Sequence, residues 1–324
     1  MKLVGDIGGT NARFALMEDE SAGLMHTSSL KCASYATLAD AAQAYVDSVS
    51  QPMPKEAIIA IAAPVMDDWV DMTNHTWLLS VDDIRMELEL DKLKVINDFI
   101  ALALAVPTLD DANIRQIGRG FKDEGSAIGV LGAGTGLGMS GLISTGDIWM
   151  PIESEGGHIP FWSHEERDIK VLEIIRKRYK LVSAEMIVSG PGLALVYQAI
   201  AELEGLSLAT ITPAEISERA TKGIDSVAVE TVRFFSGALG SVAASLALII
   251  SARGGVYIGG GVVPKLGSAF DEALFRAHFE KSSEFQPYLS DVPTYVMDAN
   301  FLALQGSMIA GRPEYEHLGV TSTA

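Results

Sequence analysis

The chain has 324 residues, 48% hydrophobic and 20% charged with 31 Gly, enough for a sizeable core in two domains or one two-lobed unit without disulfides or metals. Its 24 Lys and Arg against 42 Asp and Glu leave a net charge of −18, which argues against nucleic-acid partners and against docking on anionic lipid. The single cysteine, Cys32, can form no internal bridge, and the start reaches Asp6 too soon for a signal peptide, so a cytoplasmic protein is expected.

Lys2, Leu3 and Val4 read as a short apolar strand that runs into the turn Gly5, Asp6, Ile7, Gly8, Gly9 and Thr10; an alternating strand returns over 11–17. An amphipathic segment follows at 38–50 and a buried strand at 57–62. Ser80 predicts an N-cap for a helix through Leu90, with Asp82 and Asp83 in its first turn. A strand at 94–96 ends on Asn97 and Asp98, and a helix over 99–106 is stopped by Pro107. At 126–143 the opening plan recurs as strand, glycine turn and strand, a weak internal duplication. The stretch 234–252 carries no charge and is long enough to span a bilayer. Its small residues, among them Gly237, Ser241 and Ser245 at four-residue spacing, mark instead a buried, closely packed helix. A final helix at about 301–310 is expected to cross back to the first lobe. Strands alternating with helices indicate α/β architecture. Pro107 is the preferred boundary, giving a small lobe of 1–107 plus about 299–324 and a large lobe of 108–298.

Glycine turns without a Cβ let backbone N–H groups approach phosphate oxygens. At 5–10 such a turn is joined by the Asp6 carboxylate, able to hold Mg²⁺ directly or through water, and by the Thr10 hydroxyl; the alternative is an ordinary hairpin. No Walker loop occurs. Gly136 to Gly141 matches the dinucleotide fingerprint, but strand-like residues follow where a helix is required, so the match is read as accidental. Gly132, Ala133, Gly134, Thr135 and Gly136 read better as a second phosphate turn, and Gly259, Gly260 and Gly261 would let backbone approach adenine or ribose. Asp98, at the end of a strand, is placed to take a proton from a substrate hydroxyl, with the Asn97 amide orienting the same molecule; the alternative is an Asp that caps the helix. Glu155 and His158 flank a Gly-Gly bend and offer acceptors and donors to a polyhydroxyl ring; their spacing imitates a metal pair, but a rigid helix is not expected across two glycines. Glu185 lies in the first turn of a helix.

These motifs, together with Met72, Thr73, Asn74, His75, Thr76 and Trp77 and with Ser189, Gly190, Pro191 and Gly192, occur in the order seen in bacterial glucokinases, which the whole chain resembles. The resemblance implies the actin-like, ribonuclease-H-like ATPase fold: two α/β lobes with the active site in the interlobe cleft. It implies ATP-dependent phosphorylation of D-glucose, with Asp98 as the base and Asn97, Asp98, Glu155, His158 and Glu185 on glucose. Gly5, Asp6, Ile7, Gly8, Gly9, Thr10, Gly134, Thr135 and Gly260 would serve ATP, with Mg²⁺ at Asp6, and a homodimer is expected. Pro160 departs from the family pattern, which leaves the loop beyond His158 open. The cysteine-rich zinc motif of the related repressor–kinase family is absent, and no helix-turn-helix extension is read before Met1, which favours the zinc-free branch over a DNA-binding regulator. Kinases for mannose or fructose, and a sugar-binding regulator on the same fold, are the alternatives.

Overall fold

The computed structural model describes residues 1–19, 23–72, 77–207, 209–282, 284–298 and 301–324; residues 73–76 of the motif before Trp77 lie outside them. The chain forms two compact units, Met1–Leu109 with Ala299–Ala324, and Asp110–Asp298.

The first unit opens with β1 (Lys2–Ile7), β2 (Asn11–Met17), β3 (Met25–Lys31), α1 (Leu38–Ser48) and β4 (Glu56–Ile61). It continues through β5 (Trp69–Asp71), β6 (Leu78–Ser80), α2 (Val81–Glu87), β7 (Lys92–Asn97) and α3 (Asp98–Ala105). The second unit begins with β8 (Ile114–Ile117), β9 (Ile128–Ala133), β10 (Leu137–Ser144) and β11 (Trp149–Ile152). Its helices α4 (Glu166–Arg176), α5 (Ala184–Ile187), α6 (Gly190–Leu203), α7 (Pro213–Lys222) and α8 (Ser226–Ile250) precede β12 (Val256–Gly259). Then come α9 (Val262–Leu266), α10 (Glu272–Phe279), α11 (Gln286–Asp291) and β13 (Thr294–Met297). The chain returns to the first unit with α12 (Leu302–Ile309) and β14 (Val320–Thr323).

Each unit is built on a six-stranded sheet, ordered β3-β2-β1-β4-β7-β14 in the first and β11-β10-β9-β12-β13-β8 in the second. In both, three antiparallel strands lead into two parallel ones, and an antiparallel strand closes the far edge. The duplication read from two glycine turns is therefore a repeat of the whole sheet. The central strands β1, β4 and β9 are apolar and buried almost throughout, as parallel strands covered on both faces must be.

In the first unit α12 lies against α3 so closely that a Cβ on Gly306 would sit 1.6 Å from the Ala101 carbonyl oxygen. The buried Lys94 ammonium donates to Ala310 O at 3.0 Å and to Tyr315 O, tying the end of α12 to β7. The expected stop at Pro107 is one residue late: α3 ends at Ala105, and Pro107 continues into a 3₁₀ turn over Val106–Thr108.

In the second unit α8 is long and apolar enough to cross a membrane, yet 67% of its most apolar window is buried within the protein. A Cβ on Gly240 would come within 2.2 Å of Phe275 O, so the small-residue face receives α10 at close range. The helix starts well before the uncharged stretch, because the Asp225 side chain accepts from Val227 N and Ala228 N and the charged Glu230 and Arg233 lie on its outer side.

Candidate active site

The sequence-predicted residues fall into two groups, one in each unit. In the first unit the parallel strands β1, β4 and β7 run in register, Ile7 beside Ile61 and Ile61 beside Asn97. Two strand spacings put the glycine turn and the Asn97–Asp98 pair roughly 10 Å apart on one carboxyl edge. The turn is pinned from below by Gly8 N–H donating to Asn11 O and Cys32 N–H to Thr10 O, both at 3.0 Å, and by the Cys32 thiol to Gly8 O at 3.3 Å. Gly8 and Gly9 do not adopt positive φ, and a Cβ on Gly8 would meet nothing nearer than Asn11 O at 3.7 Å. Backbone conformation does not require glycine here, and the space above Gly8 is open. Thr10 is exposed at the tip.

Asp6 is 7% exposed and pairs with Arg13 Nη1 at 2.7 Å across the β1–β2 register. Burial pushes its carboxyl above the ordinary range, against the pull of the Arg13 charge. The sequence reading gave Arg13 no role, although a hairpin centred on Gly9 and Thr10 sets it opposite Asp6. A single carboxylate is a donor set that suits Mg²⁺, which takes most of its ligands from water and phosphate, and here that carboxylate is shared with Arg13. Among the described residues no group of three or more His, Cys, Asp or Glu side chains could hold a metal ion by itself.

At the head of α3 the structure corrects the alternative raised for Asp98. The cap is Asn97, whose Oδ1 accepts from Phe99 N at 2.8 Å and Ile100 N at 3.3 Å while Nδ2 donates to Ala63 O at 3.1 Å. The Asn97 amide is thus committed chiefly to holding the end of β7. Asp98 is the first helical residue and partly buried, at the positive end of the α3 dipole.

In the second unit Glu155, His158 and Glu185 come together. His158 Nε2 lies 3.8 Å from Glu155 Oε2 and its Nδ1 3.9 Å from Glu185 Oε1, too long for direct hydrogen bonds and open to bridging hydroxyls. Contrary to the expected bend, Gly156–His158 is one 3₁₀ turn, and only glycine fits it: a Cβ on Gly157 would fall 1.9 Å from Leu137 O. The loop beyond His158, left open by Pro160, is an ordered bridge, with Pro160 paired to Ser183, Ala184 N–H on Ile159 O at 2.9 Å and Phe161 N–H on Val182 O at 2.8 Å. Ser183 caps α5, so this bridge is what carries Glu185 to His158.

The second glycine turn follows β9. Gly134 N–H donates to Gly136 O and Gly134 O accepts from Gly190 N–H, each at 2.8 Å, so the Gly134 amide is spent inside the turn and exposed Thr135 occupies its tip. A Cβ on Gly134 would meet nothing within 4 Å, whereas Gly260, at φ +81°, packs its backbone against Ala133 O. The fingerprint-like run from Gly136 lies largely in β10, with no helix after it.

The sequence model of the glucokinase family matches residues 3–313. The chain is 42% identical over 311 residues to a glucokinase of Aromatoleum aromaticum, covering 95% of this chain and 94% of that one. It is 45% identical over 306 residues to the bifunctional protein glk of Burkholderia thailandensis, covering 94% of this chain but only 47% of that protein, so it spans about half the length of such relatives. The crystal structure of a glucokinase from an Antarctic psychrotroph superposes with a TM-score of 0.81 at 35% identity, covering 94% and 97% of the two chains. The fold is thus that of the actin-like ATPases, shared with sugar kinases.

Proposed function

The chain belongs to the glucokinase family, and from that premise we propose that it transfers the γ-phosphoryl group of ATP to the 6-hydroxyl of D-glucose. The observation that carries the glucose reading is the convergence of Glu155, His158 and Glu185, two carboxylates 3.8 and 3.9 Å from one imidazole that together offer acceptors and donors to a polyhydroxyl ring. A nucleotide hydrolase has no use for it.

In this reading Asp98 takes the 6-hydroxyl proton, late in a loose transfer whose rate depends mostly on positioning and charge. Asn97 serves by fixing the helix head from which Asp98 projects. The Gly9 amide and the Thr10 and Thr135 hydroxyls would offer donors to phosphate oxygens, Gly8 leaves room for the approach, and Gly260 would bring bare backbone near the nucleoside. Mg²⁺ at the Asp6 carboxylate would neutralise charge on the bridging phosphate oxygens.

The acidic surface supports a function without nucleic acid, and the burial of α8 one without a membrane span. A cytoplasmic site suits the lone buried thiol of Cys32. The homodimer rests on the family alone and is tested by sedimentation.

A coupled assay with ATP, Mg²⁺ and a hexose panel tests the whole. An epimer forfeits a hydrogen bond to a charged group of the cage, about 1.5–3 kcal/mol, so kcat/KM for glucose should exceed that for mannose or fructose by at least about tenfold. Equal rates on all three would overturn the glucose assignment.

A further inference from the structure

In the second unit, the turn assigned to phosphate and the residues assigned to sugar are held by one short segment. Leu137, the first residue after that turn, donates its N–H to Glu185 Oε2 at 2.9 Å. Its carbonyl rests on Gly157 of the sugar turn, at a distance that leaves no room for a Cβ. At the other end, Gly134 O accepts from Gly190 N–H at 2.8 Å, only five residues beyond Glu185. The segment between is stiff: Ser183 and Ser189 cap α5 and α6, and a Cβ on Gly192 would lie 2.5 Å from Ile187 O. The second oxygen of Glu185, Oε1, faces His158 and is the one placed to meet a hydroxyl.

We propose that Glu185 is a positioning residue that couples the two substrates: a sugar hydroxyl on Oε1 orders the carboxylate, and Oε2 then orders the 134–137 turn for phosphate. The ordering is completed by whichever ligand binds first, so the second binds more tightly. The inference rests on the glucokinase reading, and the link runs through Leu137.

Calorimetric titration of glucose with and without the non-hydrolysable analogue adenylyl imidodiphosphate measures the coupling. It should be about fivefold or more in the wild type. Gly136→Ala would set a Cβ 2.3 Å from Glu185 Oε2. This variant should bring the coupling to about one and weaken glucose binding, although Gly136 lies on the phosphate side. Glu155→Gln, which alters the sugar cage away from Leu137, should weaken glucose and keep the coupling. Hydrogen exchange on the wild type decides the matter should Gly136→Ala not fold: glucose alone should slow exchange at the Leu137 amide. Full coupling in Gly136→Ala, no coupling in a wild type that binds glucose, or unchanged Leu137 exchange at saturating glucose would overturn the link and leave the glucokinase reading intact. A wild type that binds no glucose would overturn both.

Discussion

Replacing Asp98 by Asn separates chemistry from scaffold, because the structure assigns the cap to its neighbour. The bonds to Phe99 N and Ile100 N, at 2.8 and 3.3 Å, are made by Asn97 and survive in Asp98→Asn. The variant keeps that cap and gives up the favourable contact of a carboxylate with the head of α3, about 0.3–1 kcal/mol. If Asp98 takes the hydroxyl proton, kcat falls by about 10²–10⁴, or about 2.7–5.4 kcal/mol of barrier. Asn97→Ala gives the opposite pattern. It removes a cap at about 0.5–2 kcal/mol and leaves the buried Ala63 carbonyl without its donor at about 1–3 kcal/mol more. Urea unfolding, steady-state rates and direct glucose titration on both variants supply the three readouts. Asp98→Asn should be slow but stable and still bind glucose, whereas Asn97→Ala should be clearly destabilised. A folded Asp98→Asn enzyme with near-normal kcat would refute the base, and an Asn97→Ala protein of wild-type stability would refute the cap.

Gly134→Ala should fold as well as the wild type, or gain about 0.4–1 kcal/mol by restricting the unfolded chain, while losing nucleotide affinity. Gly260→Ala, with its Cβ 2.4 Å from Ala133 O at positive φ, should cost about 1–3 kcal/mol of stability, and equal stability in the two variants would contradict this division. Lys94→Met should cost at least about 2 kcal/mol, since the Ala310 and Tyr315 carbonyls lose a buried donor; a neutral result would show that water replaces the ammonium. Burial holds the imidazole of His278 below its ordinary 6.5, against the pull of Asp168 and Glu165 and with Lys281 and His164 also pushing it down. Just below that value the unfolded chain binds a proton that the native state does not, so wild-type stability should fall as pH is lowered from about 8 to about 5. His278→Gln should show a shallower fall, and equal slopes would exclude His278 as a contributor.

The strands at the centre of both sheets were legible because burial on two faces leaves runs such as Ala57-Ile58-Ile59-Ala60-Ile61, which no surface element could carry. The edges were not. β3 reads Met-His-Thr-Ser-Ser-Leu-Lys, β8 Ile-Arg-Gln-Ile and β14 Val-Thr-Ser-Thr. β3 is mostly polar, and β8 and β14 are polar in part and only four residues long, features that keep an edge strand from pairing with another chain and also remove the signal that marks a strand. At the site, residue types were readable and their partners were not. Asn97 and Asp98 are equally good caps in principle, and only the extended backbone at Asn97 decides between them. Glu185 and Leu137 are separated by 48 positions, a distance no local pattern spans.

The glycines show why a motif can mislead about its parts. A glycine turn looks uniform as a string, but its members answer to different forces. Gly157 and Gly260 are crowded by backbone, so replacing either would disturb the fold before it touched a ligand, whereas a Cβ on Gly136 would displace the tip of the Glu185 side chain. Gly8 and Gly134 are neither crowded nor held at positive φ, so the protein alone gives no reason for their lack of a side chain. An uncrowded glycine of ordinary φ inside a turn that is otherwise tightly bonded is therefore the sharper mark of a ligand. By that criterion phosphate should lie over Gly8 in the first unit and over Gly134 in the second, with Gly5 and Gly132, which are packed against neighbours, as their scaffold.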